Sequence, residues 1–136
     1  MPQSPTLLSL DHLVLTVADI SATCDFYQSV LGMEAQQFVA TDGTIRWALS
    51  YGSQKINLHE QGREFDPKAL APTPGSADLC FLTETPIAEW QTHFNRRGVE
   101  VEDGPVRRSG AAGPILSLYI RDPDANLIEV SELIAS

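Results

Sequence analysis

His12, His59, Asp78 and Glu129 are the residues of this chain whose types and placement suit a metal ion. Imidazole nitrogens and carboxylate oxygens are donors for divalent first-row metals, among which geometry rather than affinity chooses. Two histidines and two carboxylates on an octahedral ion leave positions open, as a catalyst requires. Their neighbours in sequence are apolar: Leu13, Leu58, Leu79, and Ile128 with Val130. In a strand, that alternation turns the four polar groups to one face and the apolar neighbours to the other. Taken singly, each has a plainer use, as a structural histidine, a loop cap or an arginine partner. Only their joint occurrence at matched positions points to a metal.

The elements that must position them follow from pattern. Leu10–Val17 alternates as a strand, and Ala18–Ser21 carries a helix N-cap signal. Ile20–Leu31 then places Phe26, Tyr27, Val30 and Leu31 on one helical face, with Gly32 at the C-terminal end. Strands are expected at Met33–Val39, Arg46–Tyr51 and Lys55–Glu60, divided by Asp42-Gly43 and Gly52-Ser53. A connection with Pro67, Pro72 and Pro74 follows, after which the order restarts. Asp78–Thr83 is a strand, and Thr85-Pro86 opens a helix that runs past Ile87, Trp90, Phe94 and Arg97 to Gly98. Strands at Val99–Glu102, Ile115–Arg121 and Leu127–Ser131 complete it, with Asp122-Pro123-Asp124 turning between the last two.

This is β-α-β-β-β twice: module one about 8–61, a connection about 62–75, and module two about 76–133, within one domain spanning 1–136. His12 and Asp78 stand 66 residues apart, as do Gly32 and Gly98, while His59 and Glu129 stand 70 apart. The four donors thus fall into two pairs of equivalent positions, the longer spacing being assigned to longer loops.

Composition bounds the function. The chain has 136 residues, nine Lys and Arg against eighteen Asp and Glu, and a net charge of −9. Such an acidic chain repels phosphate backbones, and Arg96-Arg97 and Arg107-Arg108 are too few to form a basic footprint, which excludes nucleic acid. No run approaches the length of a membrane span, and Met1–Ser9 lacks the basic and apolar regions of a secretory signal. A cytoplasmic protein acting on small molecules is expected, with Cys24 and Cys80 as free buried thiols. Gly110-Ala111-Ala112-Gly113 is not a phosphate loop, because no Gly-Lys-Ser/Thr ending follows it.

Several segments together resemble the vicinal oxygen chelate superfamily of glyoxalases, bleomycin- and fosfomycin-resistance proteins and extradiol dioxygenases. They are Asp11-His12-Leu13-Val14-Leu15, Phe26-Tyr27 before Leu31-Gly32-Met33, and Asp122-Pro123-Asp124 through Ile128-Glu129-Val130. The resemblance spans residues 8–133. Gln54–Glu60 and Pro72–Cys80 look most like the group called glyoxalase domain-containing protein 5, whose bacterial members are described as relatives of biphenyl-2,3-diol 1,2-dioxygenase III.

The resemblance implies an α+β glyoxalase-like fold whose curved mixed sheets surround a metal-lined cleft, with modules paired within or between chains and homodimers common. His12 matches the first-strand histidine of the metal-binding branches, and Glu129 the last-strand glutamate. His59 stands where glyoxalase I enzymes carry glutamate or glutamine. Asp78 stands where most branches carry histidine. A nickel, cobalt, manganese, iron or zinc ion would chelate two neighbouring substrate oxygens, with Glu129 moving a proton and Asp78 the second candidate base. Lyase or isomerase chemistry on a small vicinal-oxygen substrate is the expectation. Extradiol ring cleavage on a His12–His59–Glu129 triad, and metal-free binding in the manner of bleomycin resistance, are the alternatives.

Tyr119 shares strand parity with Ser117 and Arg121 and resembles a substrate-contacting position of fosfomycin-resistance relatives. Arg46 and Arg121 fit either an anionic substrate or a surface ion pair. His93 reads as helix surface, Trp47 and Trp90 as core or interface. Arg107 and Arg108 read as solvated loop charge or a lid.

Overall fold

A computed structural model describes residues 4–135, so the N-terminal reading of Met1–Ser9 falls partly outside the described residues. The order is β1 (His12–Val17), α1 (Ile20–Ser29), β2 (Glu34–Val39), β3 (Ile45–Tyr51), β4 (Gln54–Glu60), β5 (Asp78–Leu82), α2 (Ile87–Arg96), β6 (Asp103–Gly110), β7 (Gly113–Arg121) and β8 (Leu127–Leu133). Two four-stranded sheets result, ordered β1-β4-β3-β2 and β5-β8-β7-β6. In each, the first and last strands of a module pair in parallel while the hairpin neighbours pair antiparallel. A parallel pair needs a long crossover, which the helix and two intervening strands supply.

The period-two pattern sorts the side chains. Leu15, Val17, Leu49, Ile56 and Leu58 of the first sheet, and Leu118, Ile120, Ile128 and Val130 of the second, enter one core cluster with Tyr27, Ile87 and Phe94 of the helices. Both sheets therefore turn their polar faces away from a shared interior. Asp19 caps α1 by accepting from the Ala22 N–H at 3.0 Å, and Gly32 and Gly98 take positive φ of 70° and 68° beyond the helix ends.

Three expectations are corrected. Val99–Glu102 is not a strand; β6 begins at Asp103 and contains Arg107 and Arg108, which are therefore edge-strand residues rather than loop charge. Asp-Gly-Pro-Val-Arg-Arg-Ser-Gly gives little apolar alternation because an edge strand need bury little. The register shift between Asp103 and Val106 accommodates Pro105, which has no N–H to give the ladder. His93 is half-buried, not surface: its Nε2 lies 2.9 Å from the Val30 carbonyl oxygen and its ring meets Trp90 edge-on, joining the two helices. Cys24 is buried, but Cys80 is exposed on the polar face of β5. Among the described residues no helix is long and apolar enough to cross a membrane.

Candidate functional site

Strand pairing fixes which positions of the modules correspond. In the first sheet Val14 pairs with Asn57 and Thr16 with His59; in the second, Cys80 pairs with Glu129 and Leu82 with Ser131. Since His12 and Asp78 both open their first strands, Val14 corresponds to Cys80 and Thr16 to Leu82. The counterpart of Glu129 is therefore Asn57, and that of His59 is Ser131. This corrects the equivalence of His59 with Glu129: the 70-residue spacing is two residues short of the 72 that separate Asn57 from Glu129, a difference that loops of unequal length conceal. Asn57 carries its own signal, a buried Oδ1 with no hydrogen-bond partner.

Glu129 is the most organised of the four candidate donors. Its Oε2 accepts from Ser117 Oγ at 2.6 Å and from Ser131 Oγ at 3.2 Å, and the two hydroxyl oxygens are 2.6 Å apart. Both serines are fully buried, so these bonds fix one carboxylate oxygen and leave Oε1 uncommitted. Tyr119 stands directly opposite Glu129 on β7, and its hydroxyl accepts from Arg108 Nε at 3.1 Å. Burial chiefly raises the Tyr119 phenol, with the Arg108 hydrogen bond opposing. Cys80, Arg108, Tyr119 and Glu129 line a cavity of about 450 Å³ whose other end is apolar, with Leu82, Ile115 and Leu133. Although the residue is exposed, partial desolvation of the sulfur, with the Glu129 and Asp78 carboxylates adding to it and the Ser131 hydrogen bond opposing, pushes the Cys80 thiol up, which makes it a poor nucleophile.

On the first sheet, the exposed His12 places Nδ1 2.8 Å from Asp11 Oδ2. That contact orients the ring and leaves Nε2 as the nitrogen available to a ligand. Asp78 opens β5, exposed, on the same face as Cys80. His59 is only 5% exposed and lies beneath the connection, its ring edge-on to Phe65. Burial and the Arg46 guanidinium hold its imidazole below the usual histidine range.

The two arginines expected at substrate are both engaged. Arg46 pairs with Asp42 at 2.9 Å and lies 4.0 Å over the Phe65 ring. Arg121 forks onto Glu102 with two bonds of 3.0 Å.

The four expected donors divide two and two, His12 and His59 on the first sheet, Asp78 and Glu129 on the second. Among the described residues no group of three or more His, Cys, Asp and Glu side chains converges. The sheets are open, and a single chain does not assemble the expected metal-lined cleft. Sequence reasoning missed Asn57 and the serine pair beneath Glu129, and read Arg108 as loop charge or a lid rather than as the partner of Tyr119. Strand parity carried a signal for the serines, since residues 117 and 131 share faces with 119 and 129. Asn57 and Arg108 needed the register.

Comparison with known proteins agrees with this architecture. The model of the glyoxalase/bleomycin resistance protein/dioxygenase superfamily matches residues 9–130. The chain is 58% identical over 123 residues to glyoxalase domain-containing protein RDO1 of Mycosarcoma maydis, covering 90% of this chain and 67% of that protein. It is 55% identical over 125 residues to virulence protein STM3117 of Salmonella typhimurium, covering 92% and 84%. The crystal structure of that virulence protein superposes with a TM-score of 0.90 at 53% identity, over 96% of this chain and 100% of the other. A lactoylglutathione lyase structure from Agrobacterium tumefaciens superposes with a TM-score of 0.68 at 25% identity, over 93% and 95%. With two β-α-β-β-β modules and a match along nearly its whole length, the chain belongs to the glyoxalase/bleomycin resistance protein/dioxygenase superfamily.

Proposed function

We propose that the protein is a metal-dependent lyase or isomerase acting on a small substrate with two neighbouring oxygens, and that His12, Asp78 and Glu129 hold the metal. The observation that carries this reading is the preparation of single free donor atoms. Asp11 occupies Nδ1 of His12 and leaves Nε2; Ser117 and Ser131 occupy Oε2 of Glu129 and leave Oε1. Such outer contacts are how proteins orient metal ligands. A divalent cation held there supplies several kcal/mol of stabilisation to charge developing on the substrate oxygens. Glu129 would take and return the substrate proton at Oε1 when that oxygen is not engaged by the ion, and Tyr119 offers its hydroxyl beside it. Asp78 is the second base. Within the superfamily, Gln54–Glu60 and Pro72–Cys80 support placement beside glyoxalase domain-containing protein 5.

Because His12 and Glu129 lie on different sheets whose polar faces turn away from one core, we propose that two copies complete the centre. The first sheet of one protomer meets the second sheet of its partner. His59, one row past Asn57 and enclosed by the connection, takes a different role, argued below.

The test is elemental analysis after incubation with nickel, cobalt, manganese, iron or zinc and desalting. Wild type is expected to retain near-stoichiometric amounts of at least one metal. His12→Ala and Glu129→Gln should each retain at least about tenfold less, since removing even an outer partner of a ligand costs that much affinity. Retention of none of the five by wild type overturns the reading and leaves a small-molecule binder. Isomerisation of a hemithioacetal and cleavage of a catechol are then assayed on the loaded protein, and ring cleavage with oxygen uptake would replace the lyase reading by the dioxygenase one.

A further inference from the structure

The connection between the modules does not hang free; it folds against the polar face of the first sheet and walls a half-open cavity of about 370 Å³. That volume is in the range of small-molecule sites. Val14, Thr16 and His59 form its floor, and Pro67, Lys68, Ala71, Pro72 and Thr73 are among its walls. Thr16 lies four residues along β1 from His12, a separation of about 13 Å in extended chain. Val14, two residues from His12, and Ala77, next to Asp78, also line the cavity, so it adjoins the candidate metal position at one end and runs past Thr16 and His59 under the connection at the other.

Its polar side chains are His59, Thr16, Lys68, Thr73 and Ser76, of which the Thr73 and Ser76 hydroxyls donate to backbone carbonyls of the connection itself. His59 and Thr16 are 5% and 8% exposed and are paired across β4 and β1. His12 and His93 each have a ring hydrogen bond, whereas His59, like the Thr16 hydroxyl, has no hydrogen-bond partner among the described residues. Their polar atoms open into the cavity, so an entering ligand can pair with them in place of water. Lys68 contributes the one charge of the lining, and no acidic side chain lines the cavity. Its ammonium is 4.0 Å from Glu64, at the limit of an ion pair, while the Glu64 carboxylate takes the Gly62 N–H at 2.8 Å. The pair uses Glu64 Oε1 while Gly62 holds Oε2, so an entering anion would share the Lys68 ammonium with Glu64. Three donors, one of them cationic, within alanine, valine and proline walls match an anionic oxygen pair on a small apolar body.

We propose that this cavity binds a small monocarboxylate, its carboxylate held by Lys68, His59 and Thr16 and its body by the connection. The proposal does not depend on the metal reading. The probe is 4-fluorobenzoate, titrated into the full chain and followed by fluorine NMR, with neutral 4-fluorobenzamide as comparison. The carboxylate is expected to bind, the amide at least about tenfold more weakly, and Lys68→Met should weaken the carboxylate about tenfold or more, as for loss of one charged hydrogen bond. Thr16→Val and His59→Phe should each weaken it several-fold. Lys68 is on the surface, so its variant keeps the test open where His59→Phe does not fold. Glu129→Gln should bind the probe as wild type does. No saturable binding, equal binding of amide and carboxylate, or loss in Glu129→Gln with none in Lys68→Met would each overturn the assignment.

Discussion

Asp122 shows how a residue that reads as turn punctuation can hold two modules together. It is 6% exposed and accepts four hydrogen bonds: from Tyr27 Oη at 2.7 Å, Asn126 Nδ2 at 2.8 Å, and the Asp124 and Asn126 N–H groups at 2.9 Å each. Tyr27 comes from α1 of the first module, so the bond ties the modules across their shared core. Tyr27→Phe leaves the buried carboxylate one donor short and is expected to cost about 1.5–3 kcal/mol, read by denaturant unfolding at pH 7. The pH dependence gives a second readout. Burial, then the charge and hydrogen bond of Asp122, push the Tyr27 phenol far above its ordinary value near 10. Above about pH 10 the unfolded chain releases this proton while the folded chain keeps it, so the unfolded state binds fewer protons and stability falls as pH rises. Tyr27→Phe should flatten that decline between pH 10 and 11 without abolishing it, since the Tyr51 and Tyr119 phenols are raised too. An unchanged slope would show that the proton held by Tyr27 contributes nothing to the alkaline limit. The turn and Glu129 were legible from residue type and parity; Asp122 as a buried acceptor was not, because no local pattern says which distant hydroxyl will reach it.

At the scale of elements, the strands with a buried face and both helices could be read from alternation, caps and glycines, since burial there imposes a period. β6 could not: it lies at a sheet edge, carries two arginines and a proline, and obeys packing against β7 rather than a pattern of its own. Gly104 is where that packing becomes exacting. Its φ is +106°, and a Cβ there would collide with the Ser117 carbonyl oxygen. Because Ser117 also holds Glu129, backbone movement to relieve the clash reaches the candidate site. Gly104→Ala is expected to destabilise by about 3 kcal/mol or more, combining the left-handed strain with a backbone collision. Gly43→Ala, at φ +84° with open space around it, should cost only about 1–2 kcal/mol from strain alone. Equal losses of thermal stability in the two variants would mean that β6 moves aside freely and that the edge is not fixed by close approach to β7.

For the whole molecule, the duplication was legible in the residue pattern but not how its halves meet, because strand parity assigns a residue to a face and says nothing of what that face opposes. The two polar faces are not wholly polar. Val14 is 48% exposed, and on the second sheet Leu82 and Leu133 are 60% and 53% exposed. Apolar groups beside His12 on one face and beside Glu129 on the other suit burial against a second copy, whose symmetry would create two identical composite centres. This arrangement makes a demand that a centre within one chain does not. His12→Ala and Glu129→Gln chains, each deficient in metal as a pure protein, are unfolded together and refolded at equal concentration. Each mixed dimer then contains one centre with both donors intact and one with neither. Random pairing makes about half the dimers mixed, so about a quarter of the wild-type metal content should return. A centre built within one chain cannot be rescued by mixing, because no chain in the mixture carries both donors. Recovered metal running at twice the 14.9 kDa chain mass would place His12 and Glu129 on opposite protomers. Metal that stays at the level of the separate variants, in a mixture shown by mass spectrometry to contain mixed dimers, would overturn the shared centre while leaving the assignment of the individual donors to stand on their own substitutions.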